Sequence, residues 1–229
     1  MYKIKKKQRA IIFDFDGTIL DTETAEFMAW KDIYSQFNLS FEDNLWEKRV
    51  GLFGNDAFNP LLHLQMLLKE NCDIDAIQQK RRSILKEYVM ELKPLPGVVE
   101  VMEDAIRNNI TLSVASSAPQ RWVRDHLERL DLIKNFEVIK CAEDVPMLKP
   151  NPDLYIAVLK ELQIKPTLAI AIEDSPAGVL SAKQAGITCI AVPCKLSKKM
   201  NFSQADLVLN TLSEFSFDIV NTLCLWDQL

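Results

Sequence analysis

The chain has 229 residues, 48% of them hydrophobic and 26% charged, with 6 glycines and 10 prolines. That length suits one large domain or one domain carrying a smaller insert, and the balance is that of a globular protein rather than a disordered one. A net charge of -5 excludes a protein whose main task is gripping a nucleic-acid backbone, which needs a basic footprint.

The dense charge run of Lys3, Lys5, Lys6, Lys7 and Arg9 stops where the first apolar segment begins, and it reads as a solvated lead-in, with a localisation signal or membrane contact as the lesser reading. Short apolar runs bounded by polar turns follow at residues 9–15, 110–115, 136–141, 168–172, 188–192 and 207–209. They predict buried strands of a mostly parallel sheet. Helical stretches with clear punctuation lie between them. Pro96-Gly97 opens a helix running toward Asn108, Asn151 and Pro152 stand where an N-cap and a first helical residue belong, and Ser175-Pro176 repeats that grammar before a stop at Gly186. Strands alternating with helices predict an α/β fold, a doubly wound, Rossmann-like parallel sheet.

One segment breaks the alternation. Residues 22–92 show helical patterns and no convincing strand, which predicts an inserted all-helical cap domain, with residues 1–21 and 93–229 forming the α/β core. Phe27, Trp30, Tyr34 and Phe37 mark the inward face of its first helix, and Ile74, Ile77, Leu85, Tyr88 and Val89 that of its last. An insert after the first strand lies beside the carboxyl edge of the sheet, where open α/β folds bind ligands. The hinge is expected near Asp21-Thr22 and Lys93-Pro94.

The five cysteines are odd in number and form no CxxC pair, so neither a disulfide framework nor a zinc site is expected, and a reducing cytoplasm fits. No apolar run approaches the ~18 residues of a membrane span, and no signal-peptide core is expected at the N-terminus. His63 and His126, the two histidines, read as side chains of a cap helix and a core helix. Nothing implies a protein partner, so a monomer is the default.

The strongest chemical signal is Ile11-Ile12-Phe13-Asp14-Phe15-Asp16-Gly17-Thr18, an apolar strand ending in two carboxylates. Strand alternation sends Asp14 and Asp16 to one side unless the chain turns there. Two like charges that close repel unless a proton or cation sits between them, and a hard ion such as Mg²⁺ answers that while also neutralising a phosphate. Gly17 would let the backbone turn and bring amide N–H groups to phosphate oxygens. Taken alone, the pattern also fits an ordinary strand-end turn. A second acidic pair, Glu173-Asp174, ends another apolar strand just before Ser175-Pro176, where simple helix capping is the plainer alternative. Ser116 follows the strand at 110–115. Lys149 precedes Pro150, Asn151 and Pro152 in a segment that two prolines stiffen, which suits a cation held in one place.

These signals share one sheet edge and arrive in the order Asp-x-Asp, Ser, Lys, Glu-Asp. In that order the chain resembles the haloacid dehalogenase superfamily of phosphohydrolases over nearly its whole length, with Lys149-Pro150-Asn151-Pro152-Asp153 and Glu173-Asp174-Ser175-Pro176-Ala177-Gly178 extending the match. The helical insert is similar to the C1 cap of the beta-phosphoglucomutase-like branch. The resemblance implies a Mg²⁺-dependent phosphatase acting on a small phosphorylated metabolite through an aspartyl phosphate. Asp14 would be the nucleophile and Asp16 the general acid and base. Asp14, the Asp16 carbonyl, Asp174 and Glu173 would surround the metal, while Phe15, Gly17, Thr18, Ser116, Ser117 and Lys149 would face the phosphate. Thr22, Glu26, Gly51 and Arg81 are the candidate substrate residues of the cap. Arg81 shares the helix line of Ile77 and Leu85, so it either reaches substrate or pairs with an acid.

The Asp16 carboxylate sets the chain apart from the dehalogenases of the superfamily. A beta-phosphoglucomutase-type mutase is the alternative. Against it, Glu26 stands where those mutases carry a histidine, and Gly54 replaces the arginine that grips a second phosphate, although Gly51 keeps a matching glycine. A non-catalytic phosphometabolite-binding protein is the remaining alternative, with nothing in the motifs to motivate it.

Overall fold

A computed structural model of the chain describes residues 9–46, 58–69 and 72–224. Strands β1 (Ala10–Phe13), β2 (Thr111–Ala115), β3 (Phe136–Lys140), β4 (Ala169–Glu173), β5 (Thr188–Ala191) and β6 (Leu207–Val208) form one sheet. All its pairings are parallel, in the order β3-β2-β1-β4-β5-β6. Between β1 and β2 the chain forms α1 (Thr22–Ser35), α2 (Asp43–Trp46), α3 (Pro60–Leu68), α4 (Ile74–Met90) and α5 (Val98–Arg107). Helix α6 (Gln120–Arg129) follows β2, α7 (Asp153–Leu162) precedes β4, α8 (Pro176–Gln184) joins β4 to β5, and α9 (Phe217–Cys224) ends the described chain. Each apolar run read as a strand is one, to within two residues at either end.

The unbroken hydrophobicity of β1 and β4 has a direct cause, since every residue of both is buried. Successive side chains of a strand face opposite ways. Ile11, Phe13, Ile170 and Ile172 enter one apolar layer with Val101 and Met102 of α5 and Val123 and Leu127 of α6. Ala10, Ile12, Ala169 and Ala171 enter the other, against Tyr155 and Val158 of α7 and Val179 and Ala182 of α8. The strand order reverses at β1, and ligands of doubly wound sheets bind at the carboxyl ends beside such a switch point.

Local signals place the helix ends. Ser175 caps α8 by accepting from the Gly178 amide, and Pro176 occupies the first helical position, where a missing N–H costs nothing. Helix α7 begins one residue later than expected, at Asp153 after Pro152, because the Asn151 side chain donates to the Leu148 carbonyl instead of capping.

Between β1 and α5 the described residues form helices and no strand. Phe27, Trp30, Ile33 and Tyr34 of α1 meet Phe41, Trp46, Leu64 and Ile77 in an apolar cluster of their own. Trp30 and Trp46 are therefore packed rather than lining an open pocket. Ala25 and Ala29 let α1 lie close to Leu85 and Val89 of α4. Two readings of the inward faces change: Phe37 lies beyond the end of α1, though still packed on the cluster, and Ile74, the first residue of α4, is exposed. Gly51, Gly54 and the lysines at 3–7 lie outside the described residues. Among the described residues no helix is long and apolar enough to cross a membrane.

The buried Tyr34 hydroxyl donates to the Pro60 carbonyl at 2.8 Å and lies 2.9 Å from His63 Nδ1, tying α1 to α3. Tyr34→Phe leaves that carbonyl without its donor, and unfolding in urea is expected to show a loss of about 1–3 kcal/mol. Unchanged stability would mean that the hydroxyl contributes nothing net.

Candidate active site

At the carboxyl edge, β1 delivers Asp14, β2 delivers Ser116, and β4 delivers Glu173 and Asp174. Side-chain oxygens of Asp14, Glu173 and Asp174 all lie within 4.8 Å of one another, and all three residues are buried. Lys149 reaches them from the loop before α7 and donates to Asp14 Oδ1 and, at 2.7 Å, to Glu173 Oε1. The Tyr155 hydroxyl donates to the same Glu173 oxygen at 2.7 Å, and the Lys149 ammonium lies 5.3 Å from the Tyr155 ring centroid.

Three buried carboxylates are offset by one ammonium. Burial disfavours their charge and pushes Asp14 up to about 8, with Lys149 pulling it down and Glu173 and Asp16 adding to the rise. Asp174 rises well above the usual carboxylate range for the same reason, reinforced by Asp14 and Glu173. For Lys149, burial works against the charge, but Asp14 and Glu173 outweigh it and its pKa goes up. Without a cation, Asp14 and Asp174 are thus pushed toward their protonated forms, and a divalent ion would compete with those protons. Glu173 Oε2 and Asp174 Oδ2 are buried with no hydrogen-bond partner among the described residues, a donor set of hard oxygens that fits such an ion.

Glycines make the room. A Cβ on Gly17, whose φ is +81°, would stand 2.1 Å from Asp174 Oδ2, and one on Gly178 would stand 1.9 Å from Glu173 Oε2. The Gly17 amide, expected to face a phosphate, instead donates to the Leu20 carbonyl at 2.7 Å, so this residue supplies the turn and the clearance. Phe15 is buried, and its carbonyl accepts from the amide of Ile19 at 2.9 Å. The hydroxyls of Thr18 and Ser117 are buried with no hydrogen-bond partner among the described residues, while Ser116 Oγ accepts from the Ala118 amide at 3.1 Å. These are donors a phosphate could take up.

The Asp-Phe-Asp turn separates the two acids' partners. Asp16 Oδ1 accepts from Thr22 Oγ1 at 2.6 Å and from Trp122 Nε1 at 2.8 Å, and its carboxylate stands outside the three-acid cluster. Burial raises the Asp16 pKa, and the two hydrogen bonds work against that rise. On the insert, Arg81 meets both oxygens of Glu26 at 2.7 and 2.8 Å and lies over the Trp30 ring, whose Nε1 also donates to Glu26. Of the two readings of Arg81, pairing with an acid is the one this arrangement displays. Glu26 in turn acts electrostatically on Asp16.

Residues 11–192 match the haloacid dehalogenase-like hydrolase family, and the chain belongs to it. YhcW of Bacillus subtilis is 33% identical over 93% of this chain and 96% of its own length. A phosphorylated carbohydrates phosphatase of Thermotoga maritima is 32% identical over 78% and 82%. The beta-phosphoglucomutase of Bacillus subtilis is 27% identical over 96% of each. The crystal structure of CbbY from Rhodobacter sphaeroides in complex with phosphate superposes with a TM-score of 0.71 at 25% identity, covering 90% of this chain and 96% of that one.

Sequence reasoning did not single out Tyr155, Trp122 or Ser197, whose hydroxyl donates to the Asp174 carbonyl at 2.6 Å. No spacing rule points to them, because each meets its partner only across the fold. Gly178 stood within a recognised motif, but its role as clearance for Glu173 is visible only in three dimensions.

Asp14 holds a proton up to about pH 8 when folded and releases it near 3.8 when unfolded. In EDTA, the part of the stability against urea that Asp14 controls, read as the difference from Asp14→Asn, is therefore expected to be full below about 3.8 and to fall as pH rises toward 8. A stability that rises across that window would show the cluster to be ionised in the metal-free fold.

Proposed function

We propose that the protein is a Mg²⁺-dependent phosphatase that hydrolyses a small phosphomonoester, a sugar phosphate or similar metabolite, through a phosphoryl group carried on Asp14. The observation that carries this reading is the cluster of Asp14, Glu173 and Asp174, with two orphaned oxygens and Lys149 against it, at the switch point of the sheet. Asp14, Glu173, Asp174 and the Asp16 carbonyl would hold the ion. Bound there, Mg²⁺ would supply positive charge to the carboxylates and to the phosphate oxygens.

Asp14 attacks phosphorus in line, and the bond to the leaving oxygen breaks as Asp16 gives that oxygen its proton. Asp16 then takes a proton from the water that attacks the same phosphorus, the bond between phosphorus and Asp14 breaks, and inorganic phosphate leaves with both side chains restored. Lys149 offsets charge on Asp14 and the phosphate, and Thr18, Ser116 and Ser117 donate to phosphate oxygens. Residues 22–92 act as the cap over this edge, with Thr22 beside the hinge and Glu26 and Arg81 meeting the rest of the substrate. The Thermotoga phosphatase supports carbohydrate phosphates as the class. The beta-phosphoglucomutase relative supports a mutase as the second reading, and glucose 6-phosphate formation from β-glucose 1-phosphate with trace bisphosphate decides between them.

Phosphate release from a panel of sugar phosphates, phosphoglycolate and nucleotides is expected with Mg²⁺ and not in EDTA. Asp14→Asn should lower it by about a thousandfold or more while the fold is kept, and full activity in that variant would sink the nucleophile assignment. Arg81→Ala is expected to raise KM about tenfold, as loss of a charged hydrogen bond implies. An unchanged KM removes Arg81 from the substrate site.

A further inference from the structure

We propose that Trp122, on the core helix after the Ser116 strand, is a positioning residue that directs the mobile proton of Asp16 to one oxygen and ties it to the seating of the helical insert. The inference rests on the phosphatase reading above. An indole N–H is a donor only. By donating to Asp16 Oδ1 at 2.8 Å, alongside Thr22 Oγ1 at 2.6 Å, it keeps that oxygen an acceptor, so the proton passed to a leaving group rides on Oδ2.

The ring itself is held from two sides. Its edge meets the His126 ring, with centroids 4.4 Å apart, and His126 in turn stacks on Phe15 between the two acids of the first motif. On the other side Trp122 packs against Ala25, Ala29, Leu85 and Val89, which belong to α1 and α4 of the insert. The core thus fixes where the indole can point, and the insert covers it. Because α1 and α4 form one side of the indole's packing, the direction of its N–H depends on their seating as well as on the core ring beside it. Thr22 strengthens the coupling, because it is the first residue of α1 and shares the same carboxylate oxygen.

The test compares phenyl phosphate with p-nitrophenyl phosphate, whose leaving group is a far stronger acid and needs little help from a proton donor. Trp122→Phe keeps a ring and removes the N–H. It is expected to lower kcat for phenyl phosphate about tenfold or more, to lower it for p-nitrophenyl phosphate by less than about threefold, and to leave KM within about twofold for both. In an Asp16→Asn background the same change should have no further effect. Equal losses on the two esters, no loss at all, or a loss that persists in full without Asp16 would overturn the proposal. Should Trp122→Phe not fold, benzothienylalanine at position 122 preserves the shape and deletes only the donor, and the same comparisons apply. If the unaltered protein shows no Mg²⁺-dependent release from these esters or from the sugar phosphates, the phosphatase reading fails and this proposal with it. Activity that ignores Trp122 overturns this proposal alone.

Discussion

Burying Asp14, Glu173 and Asp174 against one another is the constraint on which the rest of the structure depends. Each carboxylate taken out of water costs several kcal/mol unless it is paired or neutralised, and here one ammonium serves three acids. The arrangement persists because the strands that carry it cannot move apart. β1 lies between β2 and β4, and apolar layers cover both of its faces. Lys149 is held in turn by Glu173 and by the face of Tyr155, so the cation that offsets the acids is as fixed as they are. The clearances beside Gly17 and Gly178 follow from the same crowding, since a single methyl group would displace a carboxylate.

A second group of contacts links this edge to the helical insert. Asp16 points at Thr22 and Trp122 rather than into the acidic cluster, which separates a residue suited to proton transfer from those suited to holding a cation. The loop after β5 adds another link. Ser197 donates to the Asp174 carbonyl, while Leu196 and Met200 of the same loop pack on the aromatic cluster of the insert. Glu26 and Arg81 form a compact, partly buried ion pair on α1 and α4, with 20% and 16% of their side chains exposed. An exposed ion pair would contribute little, but this one is backed by Trp30 and shielded from water, so its geometry is set.

How far the chain could be read in advance depended on the range of the interactions involved. Strands β1 and β4 were legible because continuous apolar runs between polar turns have few alternatives in a sheet covered on both faces. The α8 N-terminus was legible because Ser175 and Pro176 act on their own backbone neighbours. The four acids and Ser116 could be assigned to one edge because strand ends fall where apolar runs stop, whereas Lys149, in the loop before α7, was placed there by its order in the family's motifs. The misreadings were local as well: Ile74 continues the helical stripe of α4 but lies in its first turn, past the reach of the core, and Asn151 spends its side chain on Leu148.

What the sequence by itself determined, then, is the order of strands and helices and the set of chemical groups at the carboxyl edge, since both arise from patterns within about ten residues. Only the tertiary structure decided which groups meet. Trp122 finds Asp16 across 106 residues, Arg81 finds Glu26 across 55, and Tyr155 finds Glu173 across 18. Those pairings depend on how each helix is rotated about its axis against the sheet or its neighbour. That rotation is set by the packing of whole apolar faces, a sum of many small contacts that no local spacing encodes.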